Sequence, residues 1–199
     1  MARGLLVKKV CVYCGSSPGK HPQFLEAARA LGREFLARDI TLVYGGASVG
    51  IMGEIADAVL AGGGDVVGVI PRSLAEKEVS HSGLTELHLV ESMHERKSLM
   101  ADLAEGFIAL PGGLGTIEEL FEVLTWSQLG FHRKPCGLLN VGAYYDHLLA
   151  FIEHAVAQQF VKPVHRDMLL AADAPAPLLD AMADYTPPAV DKWIGRAQN

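Results

Sequence analysis

The sequence predicts an α/β fold built on an open, doubly wound, mostly parallel sheet with helices on both faces. Three observations carry this. Short apolar strands alternate with segments of helical period along the whole chain. Strands such as VVGVI (66–70) and FIAL (107–110) are apolar throughout, as parallel strands covered on both faces must be. Glycine pairs stand where strands hand over to helices, and connections of this length make right-handed βαβ crossovers.

Residues 7–14 read as the first strand, followed by the turn SSPGKHP. Pro22 suits a helix start. Phe24, Leu25, Ala28, Leu31, Phe35 and Leu36 then recur at helical spacing. ITLVYGG (40–46) is a second strand, and IMGEIADAVLA (51–61) a helix stopped by three glycines. DVVGVIP (65–71) and ELHLVE (86–91) are the third and fourth strands. HERKSLMADLAEG (94–106) is a helix, FIALPGG (107–113) the fifth strand and TIEELFEVLTWSQLG (116–130) the next helix. In that helix Ile117, Leu120, Phe121 and Leu124 form the predicted buried stripe, with Glu118, Glu119 and Glu122 off it. KPCGLLN (134–140) is the sixth strand, and residues 144–160 form a long helix. After Pro163, a short strand (168–172) and a helix (177–185) complete the pattern, and residues 187–199 read as a peripheral tail. No linker divides the chain, so residues 1–199 are expected to form a single nucleotide-binding α/β domain.

A chain of 199 residues, 50% hydrophobic and 20% charged, buries a core without disulfides or metals. Its formal net charge of -6 argues against a nucleic-acid polymer as partner, which would need a basic face. A small phosphorylated ligand needs only a local basic cluster. No apolar run is long enough to span a membrane, and the amino terminus lacks a secretory pattern, so a cytoplasmic location is expected. Three cysteines fit free thiols. Cys11 and Cys14 form a CxxC, but at strand period they point to opposite faces, which favours a structural role over redox or zinc chemistry. The eight histidines show no metal-ligand spacing, and no metal is expected.

The strongest chemical feature is the run from Pro111 through Gly112, Gly113, Leu114, Gly115, Thr116, Ile117 and Glu118 to Glu119. It follows an apolar strand and opens an amphipathic helix. Glycines allow close backbone approach, and the first helical N–H groups carry the positive end of the dipole. Together they make an anion site of the phosphate-binding kind. Neither the P-loop string nor GxGxxG is present, which disfavours ATP hydrolysis and NAD. A competing reading takes Thr116 and Glu119 as a capping box, which leaves the preceding glycines unexplained.

Ser92 and Glu95 form a second capping-box pattern, placing Arg96 and Lys97 in the first turn of a helix. Cations there oppose the dipole at about 0.3–1 kcal/mol each, a local cost that hints at function. The alternative is that both extend into solvent. The junction from Tyr44 to Gly53, with glycines at 45, 46, 50 and 53, lies on the same sheet rim. Its glycines either shape a pocket floor or permit tight helix packing. Ser16 and Ser17 are similarly placed and equally open.

These residues resemble the LONELY GUY family, the cytokinin riboside 5'-monophosphate phosphoribohydrolases, whose members are often mislabelled lysine decarboxylases. The family string PGGxGTxxE is met from Pro111 to Glu119 without departure, and its upstream RK pair by Arg96 and Lys97. The likeness runs from VYCGSS through YGGASVGIMG to GLLN near residue 140. The resemblance implies a Rossmann-like sheet, usually homodimeric or larger, and hydrolysis of N6-modified adenosine 5'-monophosphate or AMP to base and ribose 5-phosphate without a cofactor. It implies Arg96 and Glu119 as the catalytic pair. Ligand contacts would come from Glu78, Lys97, Gly112, Gly113, Leu114, Gly115, Thr116, Ile117, Glu118 and Thr125, of which Glu78 and Thr125 lie outside the signature strings. Apolar helix positions such as Trp126 and Leu129 offer a dimer surface. The chief rival is a non-catalytic carrier of nucleotide or molybdenum cofactor, which shares a similar glycine loop. A nucleotide sensor would bind without turnover. A decarboxylase would need a lysine holding pyridoxal phosphate, and nothing marks Lys97 or Lys134 as one.

Overall fold

The computed structural model describes residues 7–75 and 80–188. Its strands are β1 (Lys9–Tyr13), β2 (Thr41–Tyr44), β3 (Val66–Pro71), β4 (Glu86–Val90), β5 (Gly106–Ala109), β6 (Cys136–Leu139) and β7 (Leu169–Ala172). They form one sheet in the order β4-β3-β2-β1-β5-β6-β7, and every pairing is parallel. All seven strands were legible in the sequence. The order was not, because it depends on which distant strands pair.

The alternation of β1 shows why both faces must be covered. Val10 and Val12 pack with Leu31 and Phe35 of α1 (Gln23–Arg38) and Ile55 of α2 (Gly50–Ala61). Leu178 and Met182 of α8 (Pro175–Ala183) join the same cluster. Cys11 and Tyr13 point the other way, toward Met100 of α4 (Met93–Leu103) and Val123 of α5 (Leu114–Gln128). Beyond them, α6 (Asp146–Ala157) covers β6 through Ile152 and Leu138. Leu31, Phe35 and Ile55 are fully buried, each worth about 1.5–3 kcal/mol over an exposed side chain.

Three short helical pieces escaped the sequence reading: α3 (Arg72–Ala75), a 3-10 turn (Val141–Ala143) and α7 (Pro163–Arg166). Each is too short to show a helical period. The turn lies just before the predicted long helix, which begins at Asp146, two residues later than expected, and ends at Ala157. Pro22 stands at the start of α1, as its cap.

From β1 the chain winds outward through β2 and β3 to β4, then returns to lay β5 against the other side of β1. Connections therefore diverge between β1 and β5. In such sheets ligands bind outside the carboxyl ends of the strands at that divergence. The register sets Tyr13 beside Ala109, so the segments following these two residues form the crevice walls.

Candidate active site

The loops after β1, β2 and β5 converge with the start of α4 at this crevice. They enclose a cavity of about 400 Å³ whose polar lining includes Ser16, Arg96, Thr116, Glu118 and Glu119. Gly45, Gly113, Leu114 and Gly115 complete that part of the wall.

The helix start at α5 is built from backbone. Gly113 is its cap, in extended conformation (φ -89°, ψ -156°), and no side chain caps the helix. The capping-box reading of Thr116 and Glu119 is thereby overturned. Thr116 is instead a buried residue inside the first turn, close against Gly112: a Cβ on Gly112 would fall 2.1 Å from the Thr116 Oγ1. The leading N–H groups of a helix have no carbonyl partner within it. Here Gly113, Leu114, Gly115 and Thr116 line the cavity, and a Cβ built on Gly113 or Gly115 meets nothing within 4 Å.

Ser92 does cap α4, its Oγ accepting the Glu95 N–H at 3.1 Å. The Glu95 carboxylate accepts the Glu91 N–H at 2.8 Å, one residue before the cap. Arg96 and Lys97 do not extend into solvent, since each side chain is 12% exposed. Arg96 donates from Nε to the Val69 carbonyl and from Nη1 to Glu119 Oε1, both at 3.1 Å. Lys97 Nζ donates to Glu118 Oε1 at 2.6 Å and Glu122 Oε1 at 3.0 Å. Two cations that oppose the dipole of α4 are thus neutralised by carboxylates from α5.

Glu119 departs from the predicted pattern. The most buried residues of α5 are Thr116, Leu120, Val123 and Ser127, with Ile117, Phe121 and Leu124 beside them. The stripe is wider than predicted, and Glu119 lies within its edge with a side chain 11% exposed. Burial raises its carboxyl pKa above the ordinary value; the Arg96 charge pulls the other way, and Glu118 adds to the rise. A buried ion pair adds little net stability, because desolvation offsets attraction. Facing a cavity, such a pair is better suited to a ligand.

Gly45 makes this pair possible. A Cβ there would stand 2.1 Å from Arg96 Nη2 and 2.5 Å from Met52 Cε. Gly53 serves packing, since a Cβ would strike the Ser48 backbone. The junction from Tyr44 to Gly53 thus uses its glycines both ways.

The remaining predicted residues are placed unevenly. Leu114 lines the cavity and is 87% exposed. Gly112 lines a neighbouring cavity of about 300 Å³ with Ser16, Ser17 and Gly113. Ile117 packs against the cluster around α6, and Thr125 is exposed, its hydroxyl donating to the Phe121 carbonyl of its own helix at 2.7 Å. Neither reaches the cavity, and Lys97 meets it only through Glu118. Glu78 lies outside the described residues. An apolar wall of Met52, Ile70, Leu74, Met93 and Met100 was missed by the sequence reading. These residues sit on strands and helices at positions where apolar side chains read equally as core.

Cys11 and Cys14 are buried in opposite clusters, and burial pushes both thiols well above their usual range. Among the described residues, no three His, Cys, Asp or Glu side chains gather as a metal site, and no helix is long and apolar enough to cross a membrane.

A parallel, doubly wound sheet with a glycine loop and helix start at its switch point defines a Rossmann-like α/β protein. A family model described as "Possible lysine decarboxylase" matches residues 52–182. The cytokinin riboside 5'-monophosphate phosphoribohydrolase of Rhodococcoides fascians is 54% identical over 164 residues, covering 82% of this chain and 83% of that protein. The cytokinin riboside 5'-monophosphate phosphoribohydrolase LOG7 of Arabidopsis thaliana is 51% identical over 180 residues, covering 90% of this chain and 83% of its own length. The chain belongs to the LONELY GUY (LOG) family. Among solved structures, the molybdenum cofactor carrier protein of Chlamydomonas reinhardtii superposes with a TM-score of 0.67 at 20% identity, covering 87% of this chain and 94% of that one. At that identity the likeness is one of fold.

Proposed function

We propose that this chain is a phosphoribohydrolase that cleaves the N-glycosidic bond of N6-modified adenosine 5'-monophosphate, or AMP, to free base and ribose 5-phosphate. One observation carries the reading: the uncapped start of α5 and the buried Arg96–Glu119 pair open on the same cavity at the switch point. A volume of about 400 Å³ is within the range of small-molecule sites. The names of relatives about half identical to it point to the same chemistry.

The N–H groups of Gly113, Leu114, Gly115 and Thr116 hold the 5'-phosphate, where a negative charge meets the positive end of the helix dipole. Arg96 holds phosphate or ribose oxygens through its planar fork. As the bond from C1' to the base nitrogen breaks, positive charge develops on the sugar. Glu119 faces that charge and accepts the proton of the attacking water. The hydroxyl adds to C1', and the bonding electron pair leaves with the base, which takes up a proton. Glu118 binds at the cavity rim, with Lys97 orienting it; Glu78 and Thr125, the latter away from this cavity, are ligand contacts on the strength of the family resemblance alone. No cofactor takes part.

The chain acts as one nucleotide-binding domain, as a cytoplasmic homodimer. Leu129 and Phe131, 50% and 71% exposed at the end of α5, support the dimer, whereas Trp126 is half-buried in its own core. A monomer by light scattering at micromolar concentration would remove that assignment.

Base release from AMP and N6-isopentenyl-AMP, followed by chromatography, tests the activity. Release is expected from the native protein and not from Glu119→Ala or Arg96→Ala. Adenosine should be at least ~100-fold poorer, because two or three charge-assisted hydrogen bonds of about 1.5–3 kcal/mol are lost. Equal turnover of adenosine and AMP would remove the phosphate assignment. No base release by folded native protein would favour the carrier or sensor.

A further inference from the structure

We propose that Tyr144 is a positioning residue that orients the Gly112–Gly113 peptide so that the Gly113 N–H faces the phosphate end of the cavity. The inference rests on the phosphate-binding part of the reading above.

The Tyr144 hydroxyl donates to the Gly112 carbonyl at 2.6 Å. That carbonyl and the Gly113 N–H belong to one planar trans peptide and so point in opposite directions. Tyr144 and Gly112 line the smaller cavity, and Gly113 lines both. A carbonyl held toward Tyr144 therefore turns the N–H toward the larger cavity. The peptide lies between two glycines, whose lack of Cβ makes a flip easy. A flipped peptide would present a carbonyl oxygen to the anion. The tyrosine hydroxyl opposes that flip.

The tyrosine is itself held in place. Its ring meets Phe24 edge-on at 5.7 Å and Tyr145 edge-on at 4.8 Å. Tyr145 donates to the Leu110 carbonyl at 2.7 Å, so consecutive tyrosines hold the carbonyls on either side of Pro111. The peptide after Leu110 has no N–H, because Pro111 follows; that second bond anchors the loop without aiming a donor. Asn140, at the end of β6, accepts the Tyr145 N–H at 2.7 Å and donates to Asp146 at 2.7 Å. Between them, Gly142 (φ 57°) and Ala143 (φ 62°) adopt left-handed backbone. A non-glycine residue in that region is strained, and such strain persists where surrounding contacts hold it.

Tyr144→Phe removes the hydroxyl and keeps the ring packing. The KM for AMP and the dissociation constant for inorganic phosphate are each expected to rise about 10-fold, the loss of roughly one such hydrogen bond. The kcat should change less than about threefold, and kcat/KM for adenosine should not change. In amide NMR, the shift of Gly113 on adding inorganic phosphate should shrink. Native protein active on AMP, with Tyr144→Phe at native KM and phosphate affinity, overturns the proposal and keeps the hydrolase reading. Equal losses on AMP and adenosine also overturn it, since a purely structural role predicts them. Native protein that releases no base, yet binds phosphate more tightly than Tyr144→Phe, overturns the hydrolase reading and supports the positioning role.

Discussion

Replacing Gly45 by alanine perturbs the Arg96–Glu119 pair without substituting either member. The backbone of Gly45 lies outside the left-handed region, so alanine fits its conformation. Its Cβ would stand 2.1 Å from Arg96 Nη2 and 2.5 Å from Met52 Cε, where ordinary contacts begin near 3.4 Å. The guanidinium must therefore retreat by roughly 1 Å, a displacement of the size that costs about 100-fold in rate when it misplaces a reacting group. Its 3.1 Å bonds to Val69 and Glu119 lengthen or break. Both colliding atoms end flexible side chains, so the cost of overpacking falls at the low end, about 1 kcal/mol. For a chain of this size that is about 2–4 °C in melting temperature. Base release from N6-isopentenyl-AMP and thermal melting by circular dichroism measure the two effects. A variant that melts within that range but is about 100-fold slower supports the geometry. A rate within threefold of the native one refutes it.

Two further results follow from the site. The Glu119 carboxyl, titrated by NMR, should have a pKa above the ordinary 4.5, and higher still in Arg96→Gln, where the opposing charge is gone. The acid limb of kcat/KM should share that elevation, because the base form is the ionised one. By linkage, the raised folded pKa means a stability contribution present below pH 4.5 and lost as pH rises through the folded value. A Glu119 pKa at or below 4.5 would contradict the burial. The paired variants Gly112→Ala and Gly113→Ala should separate packing from binding. The first collides with Thr116 Oγ1 and the Gly15 nitrogen and should lower the melting temperature. The second enters open space and should melt like the native protein, with a raised KM for AMP. Equal melting temperatures for the two would refute the loop geometry.

Much of the fold was legible because its signals are local. Strands covered on both faces are continuously apolar, and glycines mark the handover to helices, so all seven strands stood out in order. The chemistry was legible for a related reason. A glycine loop before a helix and two cations in a helix's first turn break local preferences, and such breaks accumulate at sites. The direction of Glu119 was not legible. Apolar periodicity marked Ile117, Leu120, Phe121 and Leu124, and only the packing of α5 on the sheet brought Glu119 inside the edge of that stripe. Nor could local sequence decide between a Thr116 cap and a Gly113 cap, since both are good helix-start signals. The methionines of the cavity wall are chemically the same as core methionines and differ only in what lies across from them.

By itself the sequence determined the alternation of elements, the glycine loop before α5 and the residue types around it. These depend on residues a few places apart. The tertiary structure decided the strand order, the switch point and every long-range partner. Arg96 meets Glu119 across 23 residues, and Tyr144 meets Gly112 across 32. Such meetings are set by how helices pack on the sheet, because neither partner's neighbours in the chain carry a preference for the other.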